Sequence, residues 1–266
     1  MKFQLCSLNS GSCGNSTYIS AGGTRLLVDA GLSGRAITTA LAQINVLPET
    51  LNGLLVTHEH IDHVRGVGVL ARKYRLPVYA NYRTWQAMHR LVGDIPAAQQ
   101  RIFDTEQDFF IGDMNILPFA IPHDTVEPVA FRVHYGHRSV AVATDLGHVS
   151  KRVLTRLSGA DLVLLESNHD PDMLINNDRY PLHLKRRIQS TQGHLSNAEC
   201  AQALIKLNDS GVRYALLGHL SQDNNTPELA MQTVCEALIK SGLTPGRDIM
   251  LDMTWRDRVG GMYTIE

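Results

Sequence analysis

Thr57-His58-Glu59-His60-Ile61-Asp62-His63 packs three imidazoles and two carboxylates into the residues that follow an apolar run, Gly53-Leu54-Leu55-Val56. The apolar run reads as a buried strand, so the seven residues begin where the chain leaves a sheet. His58 and His60 are two apart, which in an extended segment puts both on one side. Asp62 and His63 stand at the start of a helix expected over 63–75 and closed by Pro77, so the change of direction aims them at a second ion. Neutral imidazole and carboxylate are the ligands that zinc and similar ions take. A solvated loop has no need of this composition.

Outward from this point, the N-terminal side reads as extended segments at 2–8, 16–20 and 24–29, a helix over 34–44 and, beyond the metal-type cluster, a strand at 78–80 and a helix at 83–91. Residues 100–145 turn to strand composition in ILPFAI, VAFRVHY and SVAVATD, with a hairpin turn at Tyr135-Gly136-His137-Arg138. Helices follow at 150–158, 181–189, 197–209 and 227–241. LVLLE at 162–166 and YALLG at 214–218 are buried strands, and 247–265 reads as strand. No repeat, linker or low-complexity tract interrupts the pattern. A single α/β domain over 1–266, two sheets between outer helices, is the economical reading.

With 266 residues, 44% of them apolar, a substantial core is available. The net charge of −1 announces no nucleic-acid partner, which would have to be met by a local basic surface. Cys6, Cys13, Cys200 and Cys235 are scattered, as expected of reduced thiols in a cytoplasmic protein, and Cys13 is expected to be a small buried thiol. No apolar run approaches the ~20 residues that span a bilayer, and no signal segment is visible.

The form His-x-His-x-Asp-His in HEHIDH resembles the signature of the metallo-β-lactamase superfamily. That resemblance implies a four-layer αββα sandwich with a dinuclear metal site at the sheet edge, and further ligands along the chain. By resemblance His123, in AIPHDT, joins His58 and His60 on the first ion; taken alone it is an ordinary turn histidine. Asp145 closes SVAVATD in the position of a bridging aspartate. His219, in LGHLSQDNN, matches the last ligand histidine. The metal set is then His58, His60, Asp62, His63, His123, Asp145 and His219, holding two divalent ions, Zn²⁺ or Mn²⁺ with Fe²⁺ also admissible.

His194 lies in GHLSNAE, before Ser196 and Glu199, whose spacing is that of a capping box. Nuclease branches of the superfamily carry a similar segment whose histidine contacts the scissile phosphate. His194 and His219 both sit in Gly-His-Leu-Ser, and their roles are interchangeable at this stage. The N-terminal SLNSGSCGNSTYI places Ser10, Gly11 and Asn15 where backbone N–H groups cradle an anion, with Ser196 as a further substrate contact; as a lone loop it is equally an ordinary hairpin. Together with TDLG, LLESNHD, QGHLSNAE and LGHLSQDNN, these segments resemble the WalJ/YycJ-like branch over nearly the whole chain. Glu166 and His169, in LLESNHD, lie near the site by resemblance but are assigned no metal.

This branch implies a metal-dependent phosphodiesterase acting on nucleic acid, DNA in preference, as a 5′→3′ exonuclease with a hydroxide held between two cations. Asp62 orients the nucleophile and His194 serves the phosphate or the leaving oxygen. Asp145 and His194 are 49 residues apart, which leaves no room for a cap domain. The basic run His183-Leu184-Lys185-Arg186-Arg187, and Arg65, Arg72, Lys73 and Arg75, are phosphate contacts or solvated helix faces. Two alternatives stay open: another hydrolase of the same fold, acting on a thioester, lactone or cyclic nucleotide, and a non-enzymatic metal-stabilised regulatory module.

Overall fold

Four buried strands of this chain run out into polar residues: Val28 into Asp29, Ala143 into Thr144-Asp145, Gly218 into His219, and Leu165 into Glu166. The computed structural model describes residues 2–265, which divide into two compact units. The first comprises residues up to 120, 125–138 and those from 255 on; the second comprises 121–124 and 139–254.

In the first unit, β1 (Phe3–Asn9), β2 (Ser16–Ala21) and β3 (Thr24–Val28) form an antiparallel meander. Gly22 makes the β2–β3 turn at φ 57°, a conformation a hairpin of this length requires. Parallel pairing then adds β4 (Gly53–Leu55), β5 (Val78–Ala80) and β6 (Gln100–Ile102). Parallel neighbours need crossovers, here α1 (Gly34–Gln43), α2 (Ile61–Val64) with α3 (Val67–Tyr74), and α4 (Tyr82–Val92). Ser33 caps α1 by accepting from Ala36 N at 3.2 Å, and Ile37, Ala40 and Leu41 form its buried stripe. They pack with Leu27, Leu54, Val67, Leu70 and Met88 in one apolar cluster. The unit also holds the antiparallel series β7 (Phe109–Ile111), β8 (Met114–Ala120) and β9 (Val129–Tyr135).

The second unit is a parallel series, β10 (Arg138–Ala143), β11 (Leu162–Glu166), β12 (Tyr214–Gly218) and β13 (Met250–Met253), with Val140 opposite Leu162, Leu162 opposite Tyr214, and Tyr214 opposite Met250. Its helices are α5 (Lys151–Leu157), α6 (Pro171–Ile175), α7 (Leu182–Ile188), α8 (Asn197–Asp209) and α9 (Pro227–Lys240). The capping box on α8 is present: Glu199 N donates to Ser196 Oγ, and Ser196 N donates to Glu199 Oε2 at 2.9 Å.

Two expectations need correction. The helix over 63–75 is two helices, broken at Gly66. The carbonyls of Asp62 and His63 are taken by Asn15 N (2.8 Å) and Ala30 N (2.9 Å), and Gly66 N donates to Ala30 O (2.7 Å). Asn15 and the turn after β3 thus take bonds that a continuous helix would keep. A Cβ on Gly66 would lie 2.5 Å from Leu32 O, so only glycine fits. The strand over 247–265 is likewise two strands, β13 and β14 (Tyr263–Ile265); β14 pairs antiparallel with β1. Between them Arg256-Asp257-Arg258 and Gly260-Gly261 lack a strand's alternation, and Gly260 N donates to Ser7 O. Among the described residues no helix is long and apolar enough to cross a membrane.

Candidate metal centre

In the first unit β3 and β4 run parallel, and their carboxyl ends deliver Asp29 and Thr57-His58 side by side. Asp29 is buried at φ 62°. Its Oδ1 accepts from Thr57 N (2.9 Å), and its Oδ2 from Thr57 Oγ1 and His63 Nδ1 (2.8 Å each). Thr57 Oγ1 in turn lies 2.9 Å from His58 Nδ1. These bonds engage the Nδ1 side of His58 and of His63 and turn their Nε2 atoms toward His60 and Asp62. His58 Nε2 stands 3.2 Å from His60 Nδ1. Two nitrogens on one tetrahedral zinc, with bonds of ~2.0–2.1 Å, are about 3.3 Å apart, so this pair has the spacing of two ligands on one ion. Asp62 Oδ2 lies 3.5 Å from His63 Nε2, and Asn15 Nδ2 lies 3.0 Å from the same nitrogen. Glu59 faces elsewhere, accepting from Val126 N at 3.0 Å.

In the second unit β10, β11 and β12 run parallel, and Asp145, Glu166 and His219 stand at or just past their carboxyl ends, with Glu166 paired to Gly218, the residue before His219. Glu166 is fully buried and joins them. Its Oε1 accepts from His194 Nδ1 (2.8 Å) and His219 Nδ1 (2.7 Å); its Oε2 accepts from Leu146 N (2.7 Å) and Leu195 N (3.1 Å). Burial works to raise this carboxyl's pKa, but the charge and hydrogen bonds of His194 and His219 outweigh it and hold the group at about 2. For His194 burial works downward, and the Glu166 carboxylate turns the net shift upward. Asp145 Oδ1 lies 3.7 Å from His123 Nε2, 3.8 Å from His194 Nδ1 and 3.6 Å from His219 Nδ1. His123 gives Nδ1 to Gly193 O at 3.1 Å, leaving Nε2 on the Asp145 side. Asp145, Glu166, His194 and His219 each offer an atom within 4.8 Å of the others, an oxygen and imidazole set that suits a divalent ion.

Glycines make this packing possible. A Cβ on Gly31 would meet Asp62 O at 1.6 Å, one on Gly147 would meet Thr191 O at 2.2 Å, and one on Gly193 would meet Ile188 O at 2.2 Å. Asp145 and His219, like Asp29, turn off their strands at positive φ, 60° and 55°. Outside glycine this conformation is uncommon, and Asp and His are among the residues that tolerate it.

Every expected ligand therefore lies in a cluster of its own unit: His58, His60, Asp62 and His63 in the first, His123, Asp145 and His219 in the second. The His194 side chain is 21% exposed and that of His219 only 2%. Of the expected substrate contacts, Ser10 and Gly11 border Asn15, whose Oδ1 accepts from Gly11 N at 3.0 Å. Ser196 spends both its hydroxyl and its amide on Glu199. Cys13 is exposed, against the expectation of a buried thiol, because the Ser12-Cys13 tip of its loop points outward. Arg72 donates to the carbonyls of Val92 and Asp94 at 3.0 Å each and so anchors the end of α4. Sequence reading missed the roles of Asp29 and Glu166; each is an acid that closes a buried apolar strand, and that was the available signal.

A family model described as "Beta-lactamase superfamily domain" matches residues 24–220. The chain belongs to the metallo-β-lactamase superfamily. Exodeoxyribonuclease YycJ of Bacillus anthracis is 44% identical over 239 residues, 90% of each chain. Exodeoxyribonuclease WalJ of Streptococcus pneumoniae is 44% identical over 248 residues, 92% of each. The crystal structure of the metallo-β-lactamase fold protein YhfI from Bacillus subtilis superposes with a TM-score of 0.74 at 16% identity, covering 100% of both chains. The chain thus has the metallo-β-lactamase fold, the expected αββα architecture of the YycJ/WalJ branch, and is a metal-dependent hydrolase of that superfamily.

Proposed function

We propose that this metallo-β-lactamase-fold hydrolase is a phosphodiesterase that degrades nucleic acid, DNA in preference, from a 5′ end. The relatives named as exodeoxyribonucleases support the reaction class. The observation that carries it in this chain is the buried Glu166 carboxylate gripping Nδ1 of both His194 and His219. One grip fixes a buried ligand imidazole. The other fixes a partly exposed imidazole whose Nε2 is left to meet a substrate oxygen.

In this reading His58, His60, Asp62, His63, His123, Asp145 and His219 would hold two divalent ions. Zn²⁺ or Mn²⁺ suits the donor set, and Fe²⁺ also fits. When bound, such a pair supplies hydroxide at neutral pH and neutralises the phosphate. Asp62 orients the nucleophile and accepts its proton. His194 Nε2 holds a phosphate oxygen and delivers a proton to the leaving oxygen, while Glu166 stabilises the imidazolium. Ser10 and Gly11 border the 5′ phosphate; Asn15 and Ser196 set the loops beside it. The four free thiols accord with a cytoplasmic setting.

The test is a panel of 5′-labelled duplex DNA, single-stranded DNA and RNA with Mn²⁺- or Zn²⁺-loaded protein. The proposal expects DNA degradation that is lost in Asp62→Ala and falls about 10²–10⁴-fold in His194→Ala. Inert nucleic acids, with turnover of thioesters or lactones by the same preparation, would sink it.

A further inference from the structure

A second feature of the first unit plays no part in that chemistry. A groove of about 370 Å³ runs between α1 and residues 257–259. Leu8, Leu32 and Val259 give it an apolar side; Arg35 and Arg258 give it charge, with Asp257 the one acid among its lining residues. Arg35, Arg256 and Arg258 are all exposed. The Arg258 guanidinium carbon lies 3.7 Å from the ring centroid of Trp255, so the cation rests over the indole face beside the groove. Neither Arg35 nor Arg258 is in an ion pair among the described residues.

The groove is tied to the metal-type cluster by a short chain of contacts. Trp255 O accepts from Ser10 N at 2.9 Å. Asn9, a lining residue, donates from Nδ2 to Gly14 O at 2.5 Å. Leu32 crowds Gly14 so closely that a Cβ there would lie 2.6 Å from its Cδ2. From Gly14 the chain passes to Asn15, whose Nδ2 is 3.4 Å from Asp62 Oδ2.

Resting on the nuclease reading, we propose that this groove is a subsite for single-stranded nucleic acid. Backbone phosphates lie on Arg35 and Arg258, and a base stacks on the guanidinium that Trp255 supports. Arginine suits both tasks, since its fork pairs with phosphate oxygens and its plane accepts a base. Apolar walls beside cations are what a strand bound without sequence preference needs. A chain of net charge −1 has to bind such a strand through local cations of this kind.

The test uses anisotropy of a fluorescein-labelled oligothymidylate of about 20 nucleotides, in EDTA to prevent cleavage, across a range of KCl. Each phosphate neutralised on a single strand contributes about 0.7 to the log–log salt slope. Arg35→Ala/Arg258→Ala should therefore bind about tenfold more weakly, with a slope shallower by about 1.4, and should keep the wild-type kcat at saturating DNA once metal is restored. Arg258→Lys, which keeps the charge but loses the plane, should retain the wild-type slope and still bind more weakly. Wild-type affinity and slope in the double variant, from a protein that does degrade DNA, would overturn the subsite and leave the nuclease reading standing. A kcat that collapses at unchanged affinity would also overturn it. Wild-type protein that neither binds nor degrades DNA would remove both.

Discussion

Glu166 is the residue on which the second unit's cluster turns, and its variants should show it. Glu166→Gln keeps the shape but cannot accept from both imidazoles and both amides as a carboxylate does. Breaking such a buried pair costs about 3–5 kcal/mol, so a denaturant midpoint of the metal-free variant should fall accordingly. The pH sign follows from the two shifts. The Glu166 carboxyl is held below its ordinary 4.5, so its contribution is complete above that pH and is lost as pH falls towards about 2. His194 is raised above its ordinary 6.5, so its contribution is complete below 6.5 and is lost as pH rises through the folded-state value. Metal-free wild type should therefore gain most from this pair between those two ordinary values, and Glu166→Gln should flatten the profile. Asp29→Asn should cost about 10–100-fold in metal affinity, measured by competition with a chelator, because it weakens the grip on His63. His58, His60, Asp62 and His63 were legible because they crowd into one short stretch. Asp29 and Glu166 were not, because what defines them is a partner 34 or 28 residues away.

At the scale of elements, the strand ends carry the site. Parallel pairing brings Asp29 beside Thr57 and leaves Asp145, Glu166 and His219 at the carboxyl ends of three neighbouring strands. Buried apolar runs such as LVLLE and YALLG made those strands readable, and caps and turn residues bounded the helices over 34–44, 197–209 and 227–241 to within a residue or so. The helix expected over 63–75 failed where tertiary bonds from Asn15 and Ala30 displaced local ones, which no periodicity reports. The same close approach gives a prediction. Gly31→Ala forces a methyl against Asp62 O, and the loop that carries Asp62 and His63 must shift. The expected result is a loss of about 1–3 kcal/mol of stability together with weaker metal binding, read by thermal melting with and without added Mn²⁺. An unchanged melting curve would show that the loop yields freely.

On the scale of the whole molecule, four of the proposed ligands lie in the first unit and three in the second. Ions that bind the folded chain and not the unfolded one stabilise it. At a metal concentration of about 100 times Kd the gain is about 2.7 kcal/mol, or roughly 5–10 °C in melting temperature, and EDTA should remove it. Composition said little at this scale: a net charge of −1 announced no nucleic-acid partner, which would have to be met by local cations. Label position reads the polarity of degradation directly. A linear duplex carrying one fluorophore at a 5′ end and another at the 3′ end of the same strand is incubated with Mn²⁺-loaded protein and resolved by length over time. The 5′ label should be released first as a mononucleotide while the 3′ label stays on a steadily shortening strand, with both processes slowed about 10²–10⁴-fold in His194→Ala. Release of the 3′ label first, or internal cuts that leave both ends intact, would contradict it.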